Sequence, residues 1–312
     1  MTGPRRHLLT LDALSAGELD QLVRRAAAYA AAGGRAQGRP LDGATVGIYF
    51  RRTSTRTRTS FTVAAHRLGA HTIAYGPNDL QENTGETVED TARVLSGMLD
   101  GFVARTAGDP AELRALAAQD RMTVVNAMTS DEHPTQAVAD LATVLTVRGS
   151  LDGLSLLYLG EGNNTASALA FALARVPGAC LDLRTPAGYG LPDELVRRAA
   201  RTAAERGGEV TQRHDLADLP AKAHVVYTTR WQTTGTSKAD PDWRRHFTPF
   251  QVSSLLLDQV PEAVFMHDLP ARRGDEVEAA VLDGPRSIAF QQAEHKLHAA
   301  MAVLEWAVAG WR

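Results

Sequence analysis

A short apolar run rich in strand-forming residues, followed by a longer stretch with helical periodicity, recurs along this whole sequence. Strand-like runs fall at residues 44–50, 71–75, 102–104 and 122–126, and helical patterns around 56–68, 86–99, 110–118 and 134–148 alternate with them. Parallel sheets need that alternation, because a parallel neighbour is reached only by crossing the face of the sheet. After a polar link at 149–153 the pattern restarts, with strands expected at 155–159, 180–184, 210–213, 224–227 and 264–267. The expected fold class is therefore α/β, with two domains, each a mainly parallel sheet flanked by helices. A chain of 312 residues also exceeds the usual reach of one core. The expected domains are residues 1–149 and 150–291, with a last helical stretch at about 292–312 packing back on the first. Ser15 and Glu18 form the capping-box pattern of the first helix, and Gly33 and Gly34 close it.

Composition excludes several classes. A net charge of −3 leaves no cationic excess of the kind a duplex-binding domain shows, so no nucleic acid is expected as a partner. Cys180 is the single cysteine, which rules out an intrachain disulfide framework and any multi-cysteine metal site; it is expected in the core. No apolar run approaches the roughly 18 residues of a membrane span, and the N-terminal stretch lacks a signal-peptide core. A cytoplasmic protein without membrane contact is expected.

The chemistry concentrates where strands end and helices begin. Residues 50–61 read Phe-Arg-Arg-Thr-Ser-Thr-Arg-Thr-Arg-Thr-Ser-Phe, after an expected strand and into an expected helix. A helix start offers free backbone N–H groups and the positive end of the dipole, which suits a phosphate dianion. Ser54, Thr55 and Thr57 add hydroxyl donors and Arg56 a bidentate fork. Arg105 follows another strand, and Asp131-Glu132-His133-Pro134-Thr135-Gln136 follows a third. Taken singly, the basic cluster reads as a solvated turn, Arg105 as a surface ion-pair partner and His133 as a satisfied buried histidine. Gly160-Glu161-Gly162 also joins a strand to a helix, with Asp182 beyond it. The third glycine of a dinucleotide fingerprint is missing there, and Asn163 and Asn164 fill the approach to the backbone.

Taken together, the motifs resemble the carbamoyltransferase family, which includes aspartate and ornithine carbamoyltransferases. The matching pieces are Ser-Thr-Arg-Thr-Arg at 54–58, His-Pro-Thr-Gln at 133–136, Gly-Glu-Gly-Asn-Asn at 160–164, His-Asp-Leu-Pro at 267–270 and Gln-Ala-Glu at 292–294, in family order. The resemblance implies that Ser54, Thr55, Arg56 and Thr57 hold the phosphate of carbamoyl phosphate. It implies that Arg105 and His133 reach the carbonyl oxygen with Thr57, and that Gln136 and the backbone carbonyl of Leu269 take the carbamoyl NH2. Family members are trimers with shared active sites, and Gln81 resembles the residue lent by the neighbouring subunit. No metal or organic cofactor is implied.

The acceptor half departs from the ornithine pattern of Asp-Val-Trp followed by Ser-Met-Gly. Here the stretch reads Thr229-Arg230-Trp231-Gln232-Thr233-Thr234-Gly235, so Thr229 stands where ornithine enzymes hold the α-amino group with an aspartate. Arg230 and Gln232 resemble the carboxylate grip of aspartate enzymes, while Asn164 follows the ornithine pattern. Asp268 replaces a cysteine or proline, and Lys296 replaces an arginine that touches carbamoyl phosphate. The expected acceptor is a short diamino acid such as 2,3-diaminopropionate, giving a ureido product, rather than ornithine. The alternatives are a true ornithine or aspartate carbamoyltransferase and a non-catalytic carbamoyl phosphate-binding protein. Residues 233–245 mix glycine, proline and charge, the composition of a closing loop.

Overall fold

A computed structural model of the chain describes residues 5–80, 84–233 and 236–310. It divides into two compact units, Met1–Ala142 with Glu294–Arg312, and Thr143–Ala293. The division falls inside the helix Pro134–Arg148 rather than at the polar link after it.

The first unit holds four parallel strands, β1 (Thr45–Phe50), β2 (His71–Tyr75), β3 (Gly101–Arg105) and β4 (Thr123–Asn126), in the order β2-β1-β3-β4. Buried apolar side chains on β1, β3 and β4 keep these strands dry on both faces, as parallel strands require, whereas the edge strand β2 is exposed or half-buried along its length. At Gly47 any side chain would collide, because an added Cβ would lie 2.6 Å from the Phe102 ring. The first helix, Ala16–Ala31, opens with the expected capping box: Ser15 Oγ accepts the Glu18 N–H at 3.2 Å and Glu18 accepts the Ser15 N–H at 2.9 Å. The C-terminal end of the chain joins this unit through Glu305, which accepts from Arg25 and from the Tyr29 hydroxyl, each at 2.7 Å.

The second unit holds five parallel strands, β5 (Ser155–Leu159), β6 (Cys180–Arg184), β7 (Glu209–Arg213), β8 (Val225–Thr228) and β9 (Val264–His267), in the order β7-β6-β5-β8-β9. Leu157, Leu159, Val226, Phe265, Val252 and Val260 share one core on this sheet. Cys180, expected in the core, is exposed, because it opens β6 at the strand's end.

Both strand orders reverse direction once. The chain leaves β1 to one side for β2 and returns across it to β3, and it leaves β5 for β6 and β7 before returning to β8. Loops at the carboxyl ends of such strand pairs diverge and open a crevice, so β1/β3 and β5/β8 are where each sheet can bind a ligand.

Candidate active site

The β1/β3 crevice of the first unit carries the basic segment. Phe50 pairs with Arg105, and the Arg51 N–H donates to the Arg105 carbonyl at 3.1 Å, so the end of β3 lies beside the start of the segment. Arg51 is taken up by the fold: Nε donates to the Tyr49 hydroxyl at 3.0 Å and the guanidinium pairs with Glu112. The helix Thr55–Leu68 begins just beyond. Its N-cap, Ser54, has an extended backbone and makes no side-chain capping hydrogen bond. The orphan N–H groups of the first turn are therefore not satisfied by the residue that usually does so.

Thr57 ends that first turn, 5% exposed, and Arg105 Nη1 donates to its hydroxyl at 3.4 Å. Ser54 and Arg56 are half-buried and Thr55 is exposed. His133 is buried at the entrance of the helix Pro134–Arg148, with Nδ1 3.4 Å from the Thr135 hydroxyl. Gln136 is buried one position further on; its Nε2 donates to Asp140 at 2.7 Å and its Oε1 accepts from Lys296, itself 9% exposed. An amide oxygen has two lone pairs, so Oε1 retains capacity for one more donor. The first unit thus joins Thr57 to Arg105 and Gln136 to Lys296. Gln81 lies outside the described residues.

Glu132 is a residue that the sequence reading passed over. It is 3% exposed and accepts the Leu11 N–H at 2.7 Å. Burial pushes its pKa up to about 7, against the lowering by the Leu11 and Thr10 hydrogen bonds. The residue sits inside a motif already singled out, yet the N–H that it accepts is 121 positions away.

In the second unit, Asn163 caps the helix Asn164–Leu173, its Oδ1 accepting the Thr165 and Ala166 N–H groups at 3.0 and 3.2 Å. Asn164 is buried in the first turn, and Thr229 is buried just past β8, the partner of β5 across the switch point. Arg230 is half-buried; Gln232 turns its Nε2 to the Thr236 carbonyl at 2.8 Å and so holds its own loop. Asp268 Oδ2 accepts from the Thr165 hydroxyl at 3.1 Å, and Oδ1 lies 3.4 Å from His267 Nδ1. Burial pushes the His267 pKa down, but the Asp268 and Glu276 carboxylates outweigh it and leave it raised. Leu269 has φ 51 and precedes a cis proline.

The segment read as a closing loop is anchored. Lys238 pairs with Glu161, and its ammonium lies 5.1, 5.2 and 5.0 Å from the ring centres of Tyr189, Trp243 and Phe247. Thr233 donates to the other oxygen of Glu161 at 3.1 Å and accepts from Asn163 Nδ2 at 3.2 Å. Glu161 is thereby engaged with the 233–245 segment, in the place where the dinucleotide reading needed an open approach. No helix among the described residues is long and apolar enough to cross a membrane, and these residues contain no cluster of three potential metal ligands.

Comparison with known proteins bears on both halves. The family model for the carbamoyl-P binding domain of aspartate/ornithine carbamoyltransferase matches residues 6–146, and that for the Asp/Orn binding domain matches residues 152–307. An ornithine carbamoyltransferase of Anoxybacillus flavithermus is 43% identical over 267 residues, covering 85% of this chain and 84% of that protein. One from Thermococcus kodakarensis is 40% identical over 273 residues, covering 87% and 86%. The solved structure of the Pyrococcus furiosus ornithine carbamoyltransferase matches with a TM-score of 0.87 at 36% identity, over 99% of each chain.

Proposed function

The chain belongs to the aspartate/ornithine carbamoyltransferase family, and on that premise we propose that it moves the carbamoyl group of carbamoyl phosphate onto an amine of an amino acid, with ornithine the first acceptor to test. The observation that carries the donor half is the contact of Arg105 with Thr57 at the mouth of a helix whose N-cap side chain is not used. The first-turn N–H groups of that helix, with Ser54, Thr55 and Arg56, receive the phosphate dianion. Thr57, Arg105 and His133 meet the carbonyl oxygen, where negative charge builds as the amine attacks. Donors fixed in place before the reaction stabilise that charge without reorganising. The amine lone pair forms the new C–N bond, the bond from carbon to the phosphate oxygen breaks, and the proton the amine loses leaves with phosphate. Gln136 Oε1, with Lys296 already on one lone pair, and the Leu269 carbonyl accept the carbamoyl NH2. No metal or organic cofactor takes part in this scheme.

The acceptor is drawn by Asn164, Thr229, Arg230, Gln232 and Asp268. The relatives' names favour ornithine and weigh against the expectation of a short diamino acid. A second reading keeps the chemistry and changes the acceptor: Thr229 offers no carboxylate for an α-ammonium, whereas the Asp268 carboxylate, held by Thr165, does. The test is release of phosphate and formation of a ureido product, followed by mass spectrometry, with ornithine, aspartate and 2,3-diaminopropionate in parallel. Fastest turnover with ornithine supports the first reading. Preference for the shorter diamino acid supports the second, and turnover with none of the amines would remove both.

A homotrimer with shared sites, to which Gln81 of a neighbour contributes, also belongs to this reading. Ile73, Val94 and Met98 are exposed on the first unit, apolar surface that a subunit contact would cover. Light scattering that gives the mass of one chain would refute it.

A further inference from the structure

β4 ends the order of its sheet, and residues 8–11 close its outer side. The Leu8 N–H donates to the Val124 carbonyl at 3.0 Å and the Asn126 N–H to the Leu8 carbonyl at 2.8 Å, so Leu8 pairs with Val125 in the parallel sense of the sheet. Two side chains carry the pairing past the end of the strand. Asn126 Nδ2 donates to the Leu9 carbonyl at 2.8 Å, and Glu132 accepts the Leu11 N–H at 2.7 Å in a buried contact. Leu8 and Leu11 are themselves fully buried.

Between these two anchors the chain makes the turn that ends on His133. Asn126 Oδ1 accepts the Met128 N–H at 2.9 Å, and Met128 sits at φ 140, which a residue with a side chain keeps only where its surroundings impose it. The turn closes with the Thr129 N–H donating to the Glu132 carbonyl at 3.0 Å. Its other flank is tied to the end of β3 and the residues just past it. The Ala127 N–H donates to the Ala104 carbonyl at 2.9 Å, the Ala107 N–H to the Met128 carbonyl at 3.1 Å and the Ser130 N–H to the Gly108 carbonyl at 2.9 Å. Arg105 stands within that stretch, so the backbones that carry Arg105 and His133 are laced together, and residues 8–11 brace them from the opposite edge of β4.

We infer that Glu132 is a positioning residue for carbamoyl transfer: by gripping the Leu11 N–H it fixes the approach to the helix Pro134–Arg148, and with it the place of His133 beside the Arg105 stretch. This rests on the role given to His133 above, and every residue it invokes lies in the first unit. A carboxyl kept for stability alone leaves turnover intact in any variant that stays folded. One kept for position sets kcat, because a reacting group displaced by about 1 Å can lose roughly a hundredfold in rate. Phosphate received at the start of the helix Thr55–Leu68 does not depend on it.

The full-length protein tests this with two readouts, kcat for carbamoyl transfer and the affinity for inorganic phosphate measured by calorimetry. Glu132→Leu removes the acceptor of the contact, Glu132→Gln keeps an oxygen in its place, and Leu11→Pro removes the donor from the other end. Proline suits that position, the first of a 3-10 turn after a Thr10 with extended backbone. Glu132→Leu is expected to lower kcat by about tenfold or more and to leave phosphate affinity within about twofold. Glu132→Gln is expected to return kcat to within about threefold of the parent. Because Glu132→Leu and Leu11→Pro break one contact from its two ends, the double variant is expected to fall no further in kcat than the worse single one. Parent kcat in folded Glu132→Leu, equal losses in kcat and phosphate affinity, or fully additive losses in the double variant overturns the proposal. If Glu132→Leu does not fold, Leu11→Pro carries the same expectation and the same refutation. If neither folds, a Glu132→Gln protein whose kcat falls by about tenfold or more overturns it. His133→Ala with parent turnover would remove the role of His133 first. Parent protein that transfers no carbamoyl group to any of the three acceptors would remove the functional reading itself.

Discussion

Replacing Glu132 by glutamine keeps an oxygen that can accept the Leu11 N–H and removes the charge that burial opposes. At about 1.4 kcal/mol for each pH unit between native and unfolded values, a native pKa of about 7 against an ordinary 4.5 amounts to about 3 kcal/mol. The native state binds this proton more tightly than the unfolded chain does. The contribution is therefore complete below pH 4.5, fades as the pH rises, and is lost above about 7. Glu132→Gln has no such proton to lose. Its stability relative to the parent should rise by about 2.5 kcal/mol between pH 5 and pH 8. Urea unfolding at pH 5, 6, 7 and 8, followed by circular dichroism, measures the gap, and amide exchange at Leu11 reports the same change locally. A gap that stays constant with pH, or one in which the parent gains on the variant as pH rises, would refute the argument that burial rather than contact sets the energetics of this carboxyl.

Arg105→Ala should lower kcat/KM by roughly a hundredfold or more, about 3 kcal/mol of transition-state stabilisation, while Thr57→Val lowers it in the same direction; steady-state kinetics with saturating acceptor checks both. Lys238→Met leaves Glu161 without its cation and should cost about 3 kcal/mol of stability, visible in urea unfolding followed by the fluorescence of Trp231 and Trp243. His295 is buried and its pKa pushed down to about 4 by burial and then by His298. Its contribution is present above the ordinary 6.5 and lost as pH falls toward 4. His295→Gln should therefore lose less stability than the parent between pH 6.5 and pH 4, measured by acid unfolding.

What the sequence made readable were features whose partners lie nearby in the chain. The strand-to-helix turn at 50–61 was legible because strand end, hydroxyls and helix start are contiguous, and the α/β class because its period repeats. The Thr57–Arg105 contact was not, since it depends on β3 returning beside β1. Polar composition suggested a loop at 233–245, but Lys238 there is caged by rings from Tyr189, Trp243 and Phe247, and Tyr189 stands well before it in sequence. The bond from the Gln232 amide nitrogen to the Thr236 carbonyl was not legible either, since it depends on the path of the loop between them. Cys180 was placed in the core on residue type alone, and strand position decided otherwise.

Glu305 arrives 280 residues after Arg25, the side chain it holds, and the whole second unit is synthesised in between. On a ribosome, the second unit therefore has all its residues while the first still waits for its closing helix. Arg25 and Tyr29 remain without their carboxylate until the whole second unit has been synthesised.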